Sequence, residues 1–133
     1  EAKNQDLVEL YERVAREQVR WKELGDDDPE ILIVAYGIPA RCCETAMEIA
    51  ADEGIRARLV RPISLFPFPY EPLGKWAGVA PKTLVVEASA GQLVEDVRVA
   101  VGDRSEVSLL RKMGGLMITP EEISAKLRDI AGR

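Results

Sequence analysis

Glu87 closes the apolar run "TLVVE" and stands before "ASAGQLVEDV", a small-residue turn that passes into an amphipathic helical pattern. A carboxylate at that position has two chemical uses. It can face a ligand or partner at the carboxyl edge of a sheet, where open α/β folds place their sites. It can equally accept N–H groups of the turn at 89–92 and favour the positive end of the following helix. In either reading Gly91 lets the chain turn and Gln92 opens the helix toward the edge. Two other strand-to-helix junctions belong to the same edge: "AYGIPARC", with Tyr36 and Gly37, and "LLRKMGGLMITPEE". Arg61 joins them at the end of another short apolar run, where it either braces the sheet edge or meets a ligand. None of the junctions is a phosphate loop: "GIPAR" lacks the GxGxxG spacing, and "GG" is not followed by Lys and Ser or Thr.

The chain of 133 residues has no histidine, so the commonest general base and transition-metal ligand is missing. Its only cysteines, Cys42 and Cys43, are adjacent. Metal and cluster sites draw on spaced cysteines. Neighbours on a helix point about 100° apart, so a bond between these two would break the helix. They read as small buried hydrophobes, Cys43 the deeper. No catalytic, cofactor or metal-ligating residue is assigned, and Tyr36, Gly37, Arg61, Glu87, Gly91 and Gln92 stand as interface or loop candidates.

A composition of 47% hydrophobic and 31% charged residues fits a soluble globular protein. The net charge of −5, without a dense Lys/Arg cluster, argues against a nucleic-acid partner or an anionic membrane surface. Apolar runs such as "ILIVAY" fall short of the ~20 residues that span a bilayer, and the polar start carries no secretory signal. The cytoplasm is the expected compartment.

The elements that position these residues follow from periodicity. Leu7, Leu10, Tyr11, Val14, Trp21 and Leu24 recur at helical steps, predicting one long helix that "GDDDPE" at 25–30 ends. A chain that opens mid-helix without Met reads as a piece of a larger subunit, with residues 1–30 as connector and acidic linker and 31–133 as the domain. "ILIVAY" reads as a strand buried on both faces, and "ARCCETAMEIAADEG" as a largely buried helix. Strands are expected at "RARLV", "TLVVE" and "EVSLL", with a short helix around Leu73, Trp76 and Ala77 and another carrying Leu93, Val97, Ala100 and Val101. Four prolines in "RPISLFPFPYEP" exclude a helix or central strand. "TPEEI" opens the last helix, with Thr119 as N-cap, Pro120 at the first position and Glu122 completing a capping box. Alternating strands and helices predict a mainly parallel sheet covered on both faces.

"VAYGIPAR", "GIRARLVRPISLFPFP", "LVVEASAGQLVEDVRVAVG" and "GGLMITPEEI" resemble, in order and spacing, the C-terminal domain of the α subunit of 2-oxoacid:ferredoxin oxidoreductases, nearest the branch acting on 2-oxoisovalerate (2-ketoisovalerate). The resemblance covers essentially the whole chain. Ala88 and Ser89 replace the Met and Asn common in that family, while Gly91, Gln92, Glu95 and Asp96 are kept. It implies a transketolase C-terminal-like α/β domain: three layers, α/β/α, with a mostly parallel (mixed) five-stranded sheet. The fifth strand is then expected at 114–118. The resemblance also implies work within a larger enzyme that decarboxylates a 2-oxoacid on thiamine diphosphate with Mg, passes electrons through iron–sulfur clusters to ferredoxin and forms an acyl-CoA. The cofactor motifs lie outside this piece. Its partners would be other domains and subunits of an oligomer, with ferredoxin and CoA reached through the full complex. Two further readings stay open: a stand-alone module binding a nucleotide or phosphate at the sheet's carboxyl edge, and a redox module working through Cys42 and Cys43.

Overall fold

The computed structural model describes residues 7–10, 19–64, 67–88, 92–112 and 117–133. Five strands and four helices follow one another as β1 Trp21–Gly25, β2 Ile31–Val34, α1 Gly37–Ala51, β3 Ala57–Pro62, α2 Tyr70–Ala77, β4 Lys82–Glu87, α3 Gln92–Val101, β5 Glu106–Arg111 and α4 Pro120–Ile130. Residues 7–10 are also helical, with Leu7, Val8 and Leu10 exposed.

The strands form one sheet in the order β1-β3-β2-β4-β5. β2 pairs in parallel with β3 and β4, and β4 with β5, while β1 runs antiparallel along β3. The continuous run "ILIV" puts β2 at the centre, where all four residues are buried. Its period-two alternation feeds two cores. Ile31 and Ile33 meet Cys43, Met47, Ile123 and Leu127 of α1 and α4 on one face. Leu32 and Val34 meet Leu73 and Trp76 of α2 and Leu93 and Val97 of α3 on the other. The mixed five-stranded α/β/α architecture implied by the resemblance is present.

Its fifth strand lies elsewhere than expected. Residues 113–116 are outside the described residues, and Met117 and Ile118 are not in a strand; Ile118 is buried against α4. The missing strand is β1, in the stretch read as the end of a long helix. "WKELG" does keep the helical spacing of Trp21 and Leu24, but it also alternates, with Trp21 and Glu23 on one face and Lys22 and Leu24 on the other. The open edge of β3 selects the alternation, with Trp21 opposite Pro62 and Gly25 opposite Arg58. The sheet therefore begins at Trp21, inside the stretch read as connector and linker.

A polar cluster pins this edge strand. Glu23 Oε1 accepts from Arg58 Nη2 at 2.9 Å and from Trp76 Nε1 at 2.8 Å, and Glu23 Oε2 accepts from Trp21 Nε1 at 2.7 Å. The Arg58 guanidinium also lies 4.2 Å from the centre of the Trp76 ring, a cation–π contact. One carboxylate thus ties β1, β3 and α2 together.

The start of α4 follows the sequence in its cap: Thr119 Oγ1 accepts the Glu122 N–H at 3.2 Å, and Pro120 occupies the first helical position. The expected capping box is only half formed, because the Glu122 carboxylate accepts from Lys112 Nζ and the Thr119 hydroxyl and not from the Thr119 N–H. Lys82 Nζ donates to the Ile130 carbonyl at 3.0 Å, placing a cation at the negative end of α4.

Candidate functional site

The parallel strands β2, β3, β4 and β5 end on one edge, and every sequence-predicted candidate among the described residues lies along it. Tyr36 and Gly37 follow β2, Arg61 stands at the penultimate position of β3, Glu87 ends β4 and Gln92 opens α3. Gly91 lies outside the described residues.

Glu87 is 1% exposed, and its Oε1 accepts the Leu93 N–H at 2.8 Å. The donor sits one residue beyond the expected turn, inside α3. A carboxylate held by a first-turn N–H satisfies one of the orphan donors of the helix and complements its dipole. The side chain is committed to the fold and does not project from the edge.

Gln92 is exposed at the start of α3. Tyr36 is half-buried, packs against the core under α2 and α3, and gives α1 no side-chain cap. Gly37 has φ of 67°, the left-handed region that side chains rarely adopt, although a Cβ there would meet nothing within 4 Å. Arg61 is half-buried, and its Nε is buried without a hydrogen-bond acceptor. The edge thus gathers the candidates in a row along the sheet without joining them into one hydrogen-bonded constellation.

Two polar groupings escape a reading of the sequence. Tyr70, opening α2, donates its hydroxyl to Asp96 Oδ1 of α3 at 3.5 Å; burial first, and then the Asp96 carboxylate, push the phenol above its usual range. The second is the Glu23 cluster. Burial pushes the Glu23 carboxyl up, but hydrogen bonds from Trp21, Arg58 and Trp76, with the Arg58 charge, outweigh it and hold the group below the usual carboxylate range. No sequence signal could have found it, because its members meet only once β1 pairs with β3.

A groove of about 270 Å³ opens at the opposite, amino edge, between β1 and α1, with Leu24, Met47 and Ile55 in its lining and Glu44 and Glu48 among its polar residues. Among the described residues no three of His, Cys, Asp and Glu converge as metal ligands. Cys42 is half-buried and Cys43 buried in α1, both free. Burial, then the neighbouring Cys42 and Glu44, push the Cys43 thiol up to about 12, which makes it a poor nucleophile. These residues do not fit a magnesium diphosphate or an iron–sulfur cluster.

Residues 29–123 match the family described as pyruvate:ferredoxin oxidoreductase core domain II. The chain belongs to this family. Over 126 residues it is 43% identical to the ketoisovalerate oxidoreductase subunit VorB of Methanothermobacter thermautotrophicus, an alignment that takes in 95% of this chain and 36% of that subunit. The chain therefore spans about a third of the length of this curated relative. In fold it matches a 2-oxoglutarate:ferredoxin oxidoreductase from Magnetococcus marinus with a TM-score of 0.76 at 22% identity, covering 89% of this chain and 21% of that one. A split-gene transketolase, an inactive β4 tetramer, matches with a TM-score of 0.72 at 21% identity, covering 83% of this chain and 41% of that one. The core domain II fold is thus shared with transketolase. No helix among the described residues is long and apolar enough to cross a membrane.

Proposed function

We propose that this chain is the C-terminal domain of the α subunit of a cytoplasmic, thiamine-diphosphate-dependent 2-oxoacid:ferredoxin oxidoreductase, and that the enzyme converts a branched-chain 2-oxoacid such as 2-oxoisovalerate to its acyl-CoA. The observation that carries this reading is the 43% identity to a ketoisovalerate oxidoreductase subunit across 95% of this chain but only 36% of that subunit. The thiamine diphosphate, Mg and iron–sulfur clusters, with ferredoxin and CoA as reactants, then belong to the rest of the assembly.

The domain's own residues support packing. Glu87 fixes the start of α3 and so the height at which Gln92 stands at the edge. Tyr36, Gly37, Arg61 and Gln92 face the adjoining domain or subunit in this reading. The helical stretch with Leu7, Val8 and Leu10 exposed belongs to the connector, which we confine to residues before Trp21.

The test is purification of the natural gene product and assay of ferredoxin reduction with 2-oxoisovalerate, pyruvate and 2-oxoglutarate in the presence of CoA. A subunit about three times this size, copurifying with iron–sulfur partners and preferring 2-oxoisovalerate, is expected. A stable product of this size with no oxidoreductase partners would overturn the reading.

A further inference from the structure

Lys22 of β1 and Arg61 of β3 are direct cross-strand partners, so their side chains leave the same face of the sheet. Like charges opposite one another in an antiparallel pair are destabilising. Neither residue takes part in any of the ion pairs among the described residues. Arg61 adds a second cost, since its Nε is buried with no acceptor.

Arg58, three residues earlier on the same strand, shows how this protein treats a structural arginine. It pairs with Glu23 and Asp27, donates to the Gly25 and Asp26 carbonyls and lies over Trp76. Glu23 leaves the opposite face of β1 and is held there by Arg58, and on the Lys22 face Glu44 and Glu48 of α1, which line the groove with Leu24, form no ion pair with Lys22 or Arg61. Arg20, exposed just before β1, adds a further cation near this edge strand. The β2 ladder carries Val34 beside Val60, so the chain next to Arg61 is the turn into α1, whose first turn contains no acidic residue. Among the described residues, neither cation has an ion-pair partner.

We propose that Lys22 and Arg61 form a binding site for a phosphoryl group. Two adjacent unpaired cations match the roughly −1.5 to −2 charge of a phosphate monoester near neutrality better than a single carboxylate charge. A guanidinium supplies parallel N–H donors to two phosphate oxygens, and an ammonium supplies a point charge. The phosphoryl group is either free phosphate or the phosphate of a nucleotide or coenzyme. The site rests on the β1–β3 register and not on the oxidoreductase reading, so the two fail separately.

The test is a titration of the full 133-residue chain, followed by backbone amide NMR at constant ionic strength, with inorganic phosphate, AMP and acetate as probes. Saturable shifts centred on Lys22 and Arg61 are expected for phosphate, AMP or both, with acetate at least about tenfold weaker; the order of phosphate and AMP identifies the source. Arg61→Gln should weaken binding about tenfold or more, Arg61→Lys less, and Lys22→Gln about threefold. Should the Arg61 variants fail to fold, exposed Lys22 carries the test. Absence of saturable shifts, acetate binding as tight as phosphate, or unchanged affinity in folded variants would overturn the site.

Discussion

Glu23 on the edge strand accepts the indole N–H of Trp76 at 2.8 Å, from a helix 53 residues further along the chain. The same carboxylate takes the Trp21 indole N–H, so both tryptophans of the protein report on one group. Its pKa in the fold is lowered from 4.5. The unfolded chain then binds the proton more readily than the native one, and stability rises with pH across that interval. This contribution is complete above pH 4.5 and is lost as the pH falls through the lowered native value. Tryptophan fluorescence should therefore shift at acid pH before global unfolding seen by circular dichroism. In Glu23→Gln that early shift should disappear, with the edge-strand signal already altered at neutral pH; an unchanged acid profile would contradict the role of Glu23.

Glu87→Gln should destabilise the domain modestly. The amide keeps an acceptor for the Leu93 N–H but gives up the charge–dipole term, about 0.3–1 kcal/mol. Glu87→Ala strands that N–H in a buried site and should cost about 1–3 kcal/mol. Urea denaturation gives both values. In the assembled oxidoreductase, Glu87→Gln should leave the single-turnover decarboxylation rate nearly intact; a loss of about a thousandfold with folding preserved would make Glu87 an active-site group.

Glycine substitutions should separate conformational strain from lack of space. Gly37→Ala meets no atom within 4 Å but must hold φ of 67°, which costs about 1–2 kcal/mol. Gly25→Ala must hold φ of 125° and also drives a Cβ into the Ala57 carbonyl and to 2.7 Å from Met47 Cε. It should lower the melting temperature clearly more than Gly37→Ala and loosen β1. Equal losses from the two changes would contradict this account.

The two cysteines should differ in reactivity. Half-buried Cys42 should react with a thiol reagent in the native state, whereas Cys43, fully enclosed and with its thiol pushed up to about 12, should react at a rate set by opening of the fold. Mass spectrometry of the labelled peptides at increasing urea distinguishes them. Rapid native labelling of Cys43 would contradict the packing of α1.

The sequence by itself determined the central parallel sheet, because "ILIV" and "LVV" are continuous apolar runs that a strand covered on both faces buries. It determined the start of α4, because a Thr cap and its Glu are local chemistry within four residues. It also determined that Glu87 stands at a helix start. What it left open was which N–H the carboxylate accepts, since that depends on where α3 begins. β1 was decided by tertiary structure alone. "WKELG" satisfies a helical and a strand period at once, so local propensity cannot choose, and the choice falls to the free edge of β3 and to Arg58 and Trp76, residues distant in the chain. The Lys22–Arg61 pair follows from the same decision: a shift of one residue in that register would remove their direct opposition and send every side chain of β1 to the other face.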